Sequence, residues 1–256
     1  MRPIKLFQFV NVAESPKQVG LRKFDDAVRS STFKLPAYLN RVFPLYRELK
    51  DWPGATSDGD KNELVYRFGE GARGEIRFDT KCNLAIRMEL SDRDVLPLKV
   101  LLEEMLAFRV FFNRVIVAYG NKGDFQFTAA LEGMHAIPIF YNELTVEGGW
   151  ENFANWSLPE GEMIEATSEV FSFPGSDILV HNSVELNVIS EMLIELAFNI
   201  VGTRFDPLRG PSPDRLRLDR NGVTRVAAEL SQSIYSNLPD HPNDSVSARK
   251  VRKSSE

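Results

Sequence analysis

Apolar and charged residues alternate most regularly in residues 63–90. A period of two puts apolar side chains on one face of a β-strand and polar side chains on the other. The pattern therefore predicts two-faced strands, and the glycine-rich run Gly-Glu-Gly-Ala-Arg-Gly at 69–74 indicates a turn between the first two. The apolar positions in this stretch are Leu64, Tyr66, Phe68, Ile76, Phe78, Leu84, Ile86, Met88 and Leu90.

Extended segments are also predicted before and after this stretch. Ile4–Val12 is rich in β-forming residues and predicts a strand. Residues 114–119 read Arg-Val-Ile-Val-Ala-Tyr and predict another, which a Gly-Asn-Lys-Gly-Asp turn joins to the alternating Phe125 and Phe127. This arrangement predicts a second hairpin. Residues 162–173 predict a further strand that ends at a Pro-Gly turn.

Helical spacing of apolar residues recurs in the second half of the chain. Residues 92–113 and 183–201 are apolar over a wide face, which is typical of helices packed in a core, and a short helix is predicted at 223–238 after a turn at 221–222. The resulting fold class is α+β: a twisted, mostly antiparallel sheet with these helices packed on it. We expect a single domain over residues 1–240, followed by a basic, disordered tail over residues 241–256.

A short basic amphipathic helix is predicted at residues 15–30, where Ser15 precedes Pro16. Proline is favoured at the first position of a helix. Such a helix can lie on an anionic membrane, or it can be an ordinary surface helix packed on the core. Its candidate lipid-binding residues are Lys17, Arg22, Lys23 and Arg29.

The charge is distributed unevenly along the chain, whose formal net charge is −5 at pH 7. Residues 1–50 carry ten Lys and Arg against four Asp and Glu, residues 51–208 carry twelve against twenty-six, and residues 209–256 carry nine against six. Basic ends favour an anionic partner such as a lipid surface. The alternative is that they dock on the chain's own acidic middle. That acidic middle would oppose a phosphate backbone, so no nucleic-acid partner is expected.

Motifs for catalysis, metal binding or cofactor binding are not evident, and we predict no enzyme, no metal and no cofactor. The glycines at 69–74 fit the spacing of a dinucleotide fingerprint, but a strand follows where that fingerprint needs a helix N-terminus. The single cysteine, Cys82, favours a reducing compartment. If the chain were an enzyme, we would expect a deep pocket that gathers His135, His181 or Cys82 with carboxylates.

The order of these features resembles the pore-forming domain of the gasdermins over roughly residues 60–190. The segment Val-Phe-Ser-Phe-Pro-Gly-Ser-Asp-Ile-Leu-Val at 170–180 is similar to that family's strand ending in Pro-x-Gly before an apolar strand. Here the order is Pro-Gly rather than Pro-x-Gly, and the helix between the two hairpins is shorter than the family's.

The resemblance implies a cytoplasmic protein that binds acidic phospholipid, forms a homo-oligomer (or one with a related partner protein), moves to the cell membrane and promotes cell death. Residues 64–90 would supply one inserting hairpin, and residues 115–130 with 163–180 the other, together forming a membrane β-barrel. The chain would be similar to the short, cap-less microbial and fungal type. The candidate membrane-inserting residues are Leu64, Tyr66, Phe68, Ile76, Phe78, Leu84, Ile86, Met88, Phe125 and Phe127.

A second interpretation remains open, because any half-buried antiparallel sheet shows the same alternation. The chain would then be a soluble oligomeric scaffold or binding protein whose basic ends bind an acidic partner.

Overall fold

The computed structural model describes residues 4–12, 21, 63–68, 74–81, 83–90, 96–119, 123–134, 139–140, 150–151, 163–168, 171–173, 183–203 and 220–236. Within these ranges the chain forms ten strands and three helices. The strands are β1 (Ile4–Val12), β2 (Glu63–Phe68), β3 (Gly74–Asp79), β4 (Leu84–Leu90), β5 (Leu96–Pro97), β6 (Gly123–Glu132), β7 (Ile139–Phe140), β8 (Trp150–Glu151), β9 (Met163–Thr167) and β10 (Phe171–Phe173). The helices are α1 (Leu98–Tyr119), α2 (Ser183–Thr203) and α3 (Arg220–Ser236).

The main sheet has the strand order β10-β6-β1-β4-β3-β2, and β9 lies beside β10 along the same edge of β6. Its described pairings are all antiparallel. Strand β1 lies in the middle, with β4 on one side and β6 on the other. The short strands β5, β7 and β8 form a separate small sheet in which β5 and β7 are parallel. The predicted α+β class with a mostly antiparallel sheet is confirmed.

The register of the sheet gathers the alternating apolar residues on one face. Leu6 lies opposite Met88 on one neighbouring strand and Leu131 on the other, and all three side chains are buried. Ile76 lies opposite Ile86 in the same way. Because a strand's side chains alternate between faces, this register makes the apolar set continuous across the sheet.

The turn between β3 and β4 is organised by one carboxylate. Asp79 Oδ1 accepts hydrogen bonds from the backbone N–H groups of Lys81 (2.8 Å) and Asn83 (2.9 Å), and Asp79 Oδ2 accepts one from Asn83 Nδ2 (2.7 Å). A short side chain that bonds the backbone two residues on is the usual way in which Asp stabilises a turn. The turn brings β4 back against β3 in register.

Helix α1 packs on the apolar face of the sheet at β1 and β6. Phe112 of α1 makes edge-to-face contacts with Phe125 and Phe127 of β6, at centroid distances of 4.9 and 5.5 Å. Gln8 of β1 donates from Nε2 to the backbone oxygen of Glu104 in α1 (3.3 Å). A polar side chain on the buried face is thus satisfied by the helix above it, as a buried amide requires.

Helix α2 contacts both the sheet and α3. Asn199 Nδ2 donates to the backbone oxygen of Glu165 in β9 (3.0 Å). Glu191 forms an ion pair with Arg220, and Asn187 accepts a hydrogen bond from Thr224, so α2 is also tied to α3. The described part of the chain is therefore a two-layer α+β structure with its core between the sheet and the helices.

Three predictions about individual elements are wrong. Residues 114–119 are not a strand but the end of α1, so the predicted hairpin of 115–130 does not form, and β6 pairs with β1, β9 and β10 instead. The predicted helix 92–113 begins later, at Leu98, because Pro97 lies in β5 and proline disfavours helical geometry in the residue before it. Residues 221–222 lie within α3 rather than in a turn.

Other predictions are confirmed or lie outside the described residues. Strand Ile4–Val12 is observed with the predicted bounds, and helix Ser183–Thr203 extends the predicted 183–201 by two residues. Of the predicted helix 15–30 the structure describes Leu21, which is helical and half-buried. The tail at 241–256 lies outside the described residues, so its predicted disorder stays a prediction.

The predicted strand 162–173 is divided in two at Ser168. Thr167 pairs with Thr128, whereas Phe171 pairs with Phe125, so one strand has one more residue than the other over this interval, as in a β-bulge. Ser168 bridges the interval: its N–H donates to the Phe127 backbone oxygen (2.8 Å), and its Oγ accepts from the Phe127 N–H (2.9 Å).

We expect Ser168→Ala to lower the free energy of unfolding by about 1–3 kcal/mol, because it leaves the buried Phe127 N–H without this acceptor. Urea denaturation followed by circular dichroism measures the change. The matched control is Thr167→Ala, whose hydroxyl contacts Thr128 on the exposed side and which we expect to cost less than about 1 kcal/mol. An equal loss in the two variants would show that the Ser168 hydroxyl does not hold the strands together.

Candidate functional site

The predicted membrane-inserting residues come together on the covered face of the sheet. Cross-strand register aligns Leu64 with Phe78, and Phe78 with Leu84. The buried members are Leu64, Ile76, Phe78, Leu84, Ile86, Met88, Phe125 and Phe127. Tyr66 and Phe68 lie in β2 opposite Ile76 and Gly74, and their side chains are outside the described set. The register therefore places these residues on one face of the sheet, and α1 packs on the part of that face formed by β6.

The predicted lipid-binding residues Lys17, Arg22, Lys23 and Arg29 lie outside the described residues. Their role stays a prediction.

The opposite face of the sheet, called here the polar face, carries the charged residues of the strands. Arg77 lies 2.5 Å from Glu75 and 3.6 Å from Glu63, measured between side-chain nitrogen and oxygen atoms. Lys5 Nζ lies 3.3 Å from Glu132 Oε1. Because these pairs are partly exposed, each contributes at most about 1 kcal/mol to stability. They mark the charged side of the sheet, which is not open to water throughout, because Glu75 is buried.

Apolar side chains also lie on the polar face, among them two phenylalanines of β1. Phe7 and Phe9 alternate with buried residues of β1, and their rings are parallel with centroids 6.5 Å apart. Both are half-buried. On the edge of the same face, Met163 is 47% exposed. The sequence predicted that Phe7 and Phe9 lie in a strand, but it did not predict which face they occupy. Every residue from 4 to 10 except Lys5 and Gln8 is apolar, so the two faces of this strand look alike.

A cleft lies where α1, α2 and the covered face of the sheet meet. It is small and partly open to solvent, with room for about one water molecule. Its described lining is mostly apolar and includes Met105, Phe127 and Met192, with Arg109 as the charged member. Gln8 and Thr128 contribute polar atoms to the same lining.

Arg109 is held in the wall of this cleft although it is charged. Its side chain is on α1 and the residue is 5% exposed. The guanidinium carbon lies 4.7 Å from the centre of the Phe127 ring, a cation–π geometry. The sequence reasoning missed this residue. The available signal was one arginine within the apolar run of residues 105–112.

The described residues show neither a metal-binding cluster nor a membrane-spanning helix. Among them, no group of three or more His, Cys, Asp and Glu side chains could hold a metal ion. No helix in those ranges has both the length and the apolar composition needed to cross a membrane.

The chain matches no protein-family model, no curated protein and no solved structure. The interpretation of its function therefore rests on the geometry described above.

Proposed function

We propose that this protein permeabilises membranes by binding acidic phospholipid, oligomerising and inserting β-hairpins, and that it thereby promotes cell death. The observation that supports the proposal is the contiguous apolar face of an antiparallel sheet whose other face carries charges. Hairpin β2–β3–β4 is the clearest part of this surface, because its register aligns apolar residues on all three strands.

The apolar face is suited to two environments. In the folded chain it packs against the helices, with Phe125 and Phe127 against Phe112. Each large apolar side chain gains about 1.5–3 kcal/mol from leaving water. Lipid chains are as apolar as leucine, so the same face can exchange helices for lipid without losing this contribution. Insertion then requires the helices to leave the sheet.

The strands of hairpin β2–β3–β4 are too short to cross a membrane in the described state. Strands β2 and β3 have six residues each and β4 has seven, whereas β6 has ten. A strand that crosses a membrane needs about 9–11 residues. Strand β6 meets that length in the described state, and we expect β2, β3 and β4 to lengthen on insertion by recruiting residues from the connections between them.

Oligomerisation follows from the backbone. An edge strand in lipid would leave its N–H and C=O groups without partners, at several kcal/mol for each group. Inserted hairpins from one copy must therefore pair with hairpins from another. This requirement makes a homo-oligomer the active form and predicts that permeabilisation rises steeply with protein concentration.

The test is dye release and single-channel recording with purified protein on vesicles of phosphatidylcholine, with and without phosphatidylserine. We expect release to require the anionic lipid and to give discrete conductance steps. Arg87 is exposed on the polar face of β4, which would become the water-filled side. Arg87→Gln should leave release intact but shift the reversal potential in a salt gradient toward cation selectivity, because one positive charge per copy is removed.

The matched control is Arg225→Gln, the same change at an exposed position of α3, which should leave the reversal potential unchanged. Release without conductance steps, or equal selectivity in both variants, would contradict a pore lined by the polar face. Intact vesicles together with a stable oligomer in solution would favour the soluble scaffold instead.

A further inference from the structure

Strand β9 pairs with β6 along one edge of that strand, and the hydrogen bonds show which of its backbone groups face outward. In an antiparallel pair, residues that bond the partner strand alternate with residues whose N–H and C=O groups point away from it. The Ser168 N–H donates to the Phe127 oxygen (2.8 Å), so Ser168 belongs to the bonded set. Counted back along the register, the backbone groups of Met163, Glu165 and Thr167 therefore point away from β6.

Helix α2 already occupies part of this outer edge. Asn199 Nδ2 donates to the backbone oxygen of Glu165 (3.0 Å), which agrees with the outward direction of that carbonyl. The side chains of Met163, Glu165 and Thr167 are exposed, so solvent reaches the polar side of the edge. Among the described residues, β6 is the strand that pairs with β9. Covering an edge with a helix is one way in which proteins prevent strands of different molecules from pairing.

We propose that the outer edge of β9 pairs with β9 of a second copy of this chain, and that Asn199 holds this edge closed until α2 leaves the sheet. An antiparallel pair centred on Glu165 uses the outward backbone groups of both strands. Its two-fold symmetry is the commonest symmetry of homo-oligomers. The role of this contact rests on the proposed function, because it names the edge at which the copies of the oligomer first meet.

The charge of Glu165 adds a second protection. In the symmetric pair this carboxylate lies directly opposite the partner subunit's Glu165, and like charges at opposed positions of a sheet are destabilising. The folded chain thus disfavours pairing in two ways, since Asn199 occupies the carbonyl of Glu165 and the side chain of Glu165 repels its counterpart. We expect the natural chain to be mainly monomeric at micromolar concentration.

Sedimentation equilibrium of the full chain in buffer without lipid measures this self-association. Asn199→Ala should lower the Kd of the dimer about ten-fold or more, because it makes one carbonyl available on each of two symmetric strands. Alanine has a high helix propensity, so α2 should be retained. Adding Glu165→Gln to Asn199→Ala should strengthen the dimer further. Gln232→Ala removes an amide from an exposed position of α3 and should leave the natural equilibrium unchanged.

Thr167→Pro tests whether β9 is the strand that pairs. It removes an outward N–H and keeps the bonds to β6, and an edge strand accepts proline at such a position. Added to Asn199→Ala, it should restore the monomer. Circular dichroism checks that each variant is folded, and Asn199→Leu replaces Asn199→Ala if the latter does not fold.

Equal self-association of the natural chain and the folded Asn199 variant would overturn the proposal, and so would a dimer that survives Thr167→Pro. The proposed function is tested separately on vesicles. Dimers of Asn199→Ala that Thr167→Pro disrupts, together with no dye release by any of these proteins, would support the pairing edge and contradict membrane permeabilisation.

Discussion

Ile86→Asp is expected to destabilise the folded state severely, whereas Arg87→Asp in the next position should be tolerated. Ile86 is 1% exposed and lies between Gln8 and Ile76 in the sheet. Burying a carboxylate costs several kcal/mol, a large part of the about 5–15 kcal/mol by which a typical domain is stable. We expect a loss of at least about 4 kcal/mol, measured by urea denaturation.

The control variant tests the opposite face of the same strand. Arg87 is exposed, and Arg87→Asp should cost no more than about 1 kcal/mol, mostly through repulsion from Glu75 on the adjacent strand. The penalty at Ile86 should also shrink as the pH falls, because a protonated carboxyl is easier to bury than a carboxylate. Equal losses in the two variants would mean that β4 does not have one covered and one open face.

A charge on the apolar face would unfold the chain before it could insert, so loss of permeabilisation in Ile86→Asp would not distinguish a pore from any other function. Arg87 is exposed on the polar face, so Arg87→Gln should leave the chain folded. A change in its conductance can then be attributed to the pore.

Phe112→Ala is expected to have the second largest effect, a loss of about 3–5 kcal/mol in the free energy of unfolding. Phe112 is fully buried and contacts both Phe125 and Phe127 edge to face. Its removal leaves a cavity between α1 and β6 and also loses the aromatic contacts, worth about 0.5–1.5 kcal/mol per pair beyond their buried area. Denaturation in urea, with thermal unfolding as a second probe, measures the loss.

Met163→Ala is the matched control, since it also removes a large apolar side chain. Met163 is 47% exposed at the edge of the sheet, and we expect a change within about 0.5 kcal/mol. A small loss in Phe112→Ala would show that α1 does not depend on this cluster for its place on the sheet. It would also indicate that the helix leaves the sheet easily, which the proposed insertion requires.

The strands were predictable because their signal is local. The alternation in residues 63–90 depends on neighbouring residues, and β3 and β4 appear where the pattern places them. The end of α1 was not predictable in the same way. Val115, Ile116 and Val117 are β-branched, yet their helix propensity is lower than that of alanine by less than about 1 kcal/mol each. A helix that has already formed gains one backbone hydrogen bond for each added residue, and this favours its continuation.

The position of β1 illustrates a different limit. Its existence and bounds followed from composition, but its place between β4 and β6 did not. β1 and β4 are separated by more than 70 residues, and the local pattern of apolar residues does not predict that they pair. The pairing of Gln8 with the helix above it was equally hidden, because a glutamine within an apolar strand is compatible with either face.

The sequence by itself determined which side chains share a face of each strand, because that depends only on the period of the backbone. Tertiary structure alone decided that α1 packs on the apolar face at β1 and β6 and that the charges of Arg77 and Lys5 lie on the other side. It also decided that Arg109 is enclosed beside Phe127. Burial of a charge depends on elements brought together from distant parts of the chain, and periodicity carries no information about them.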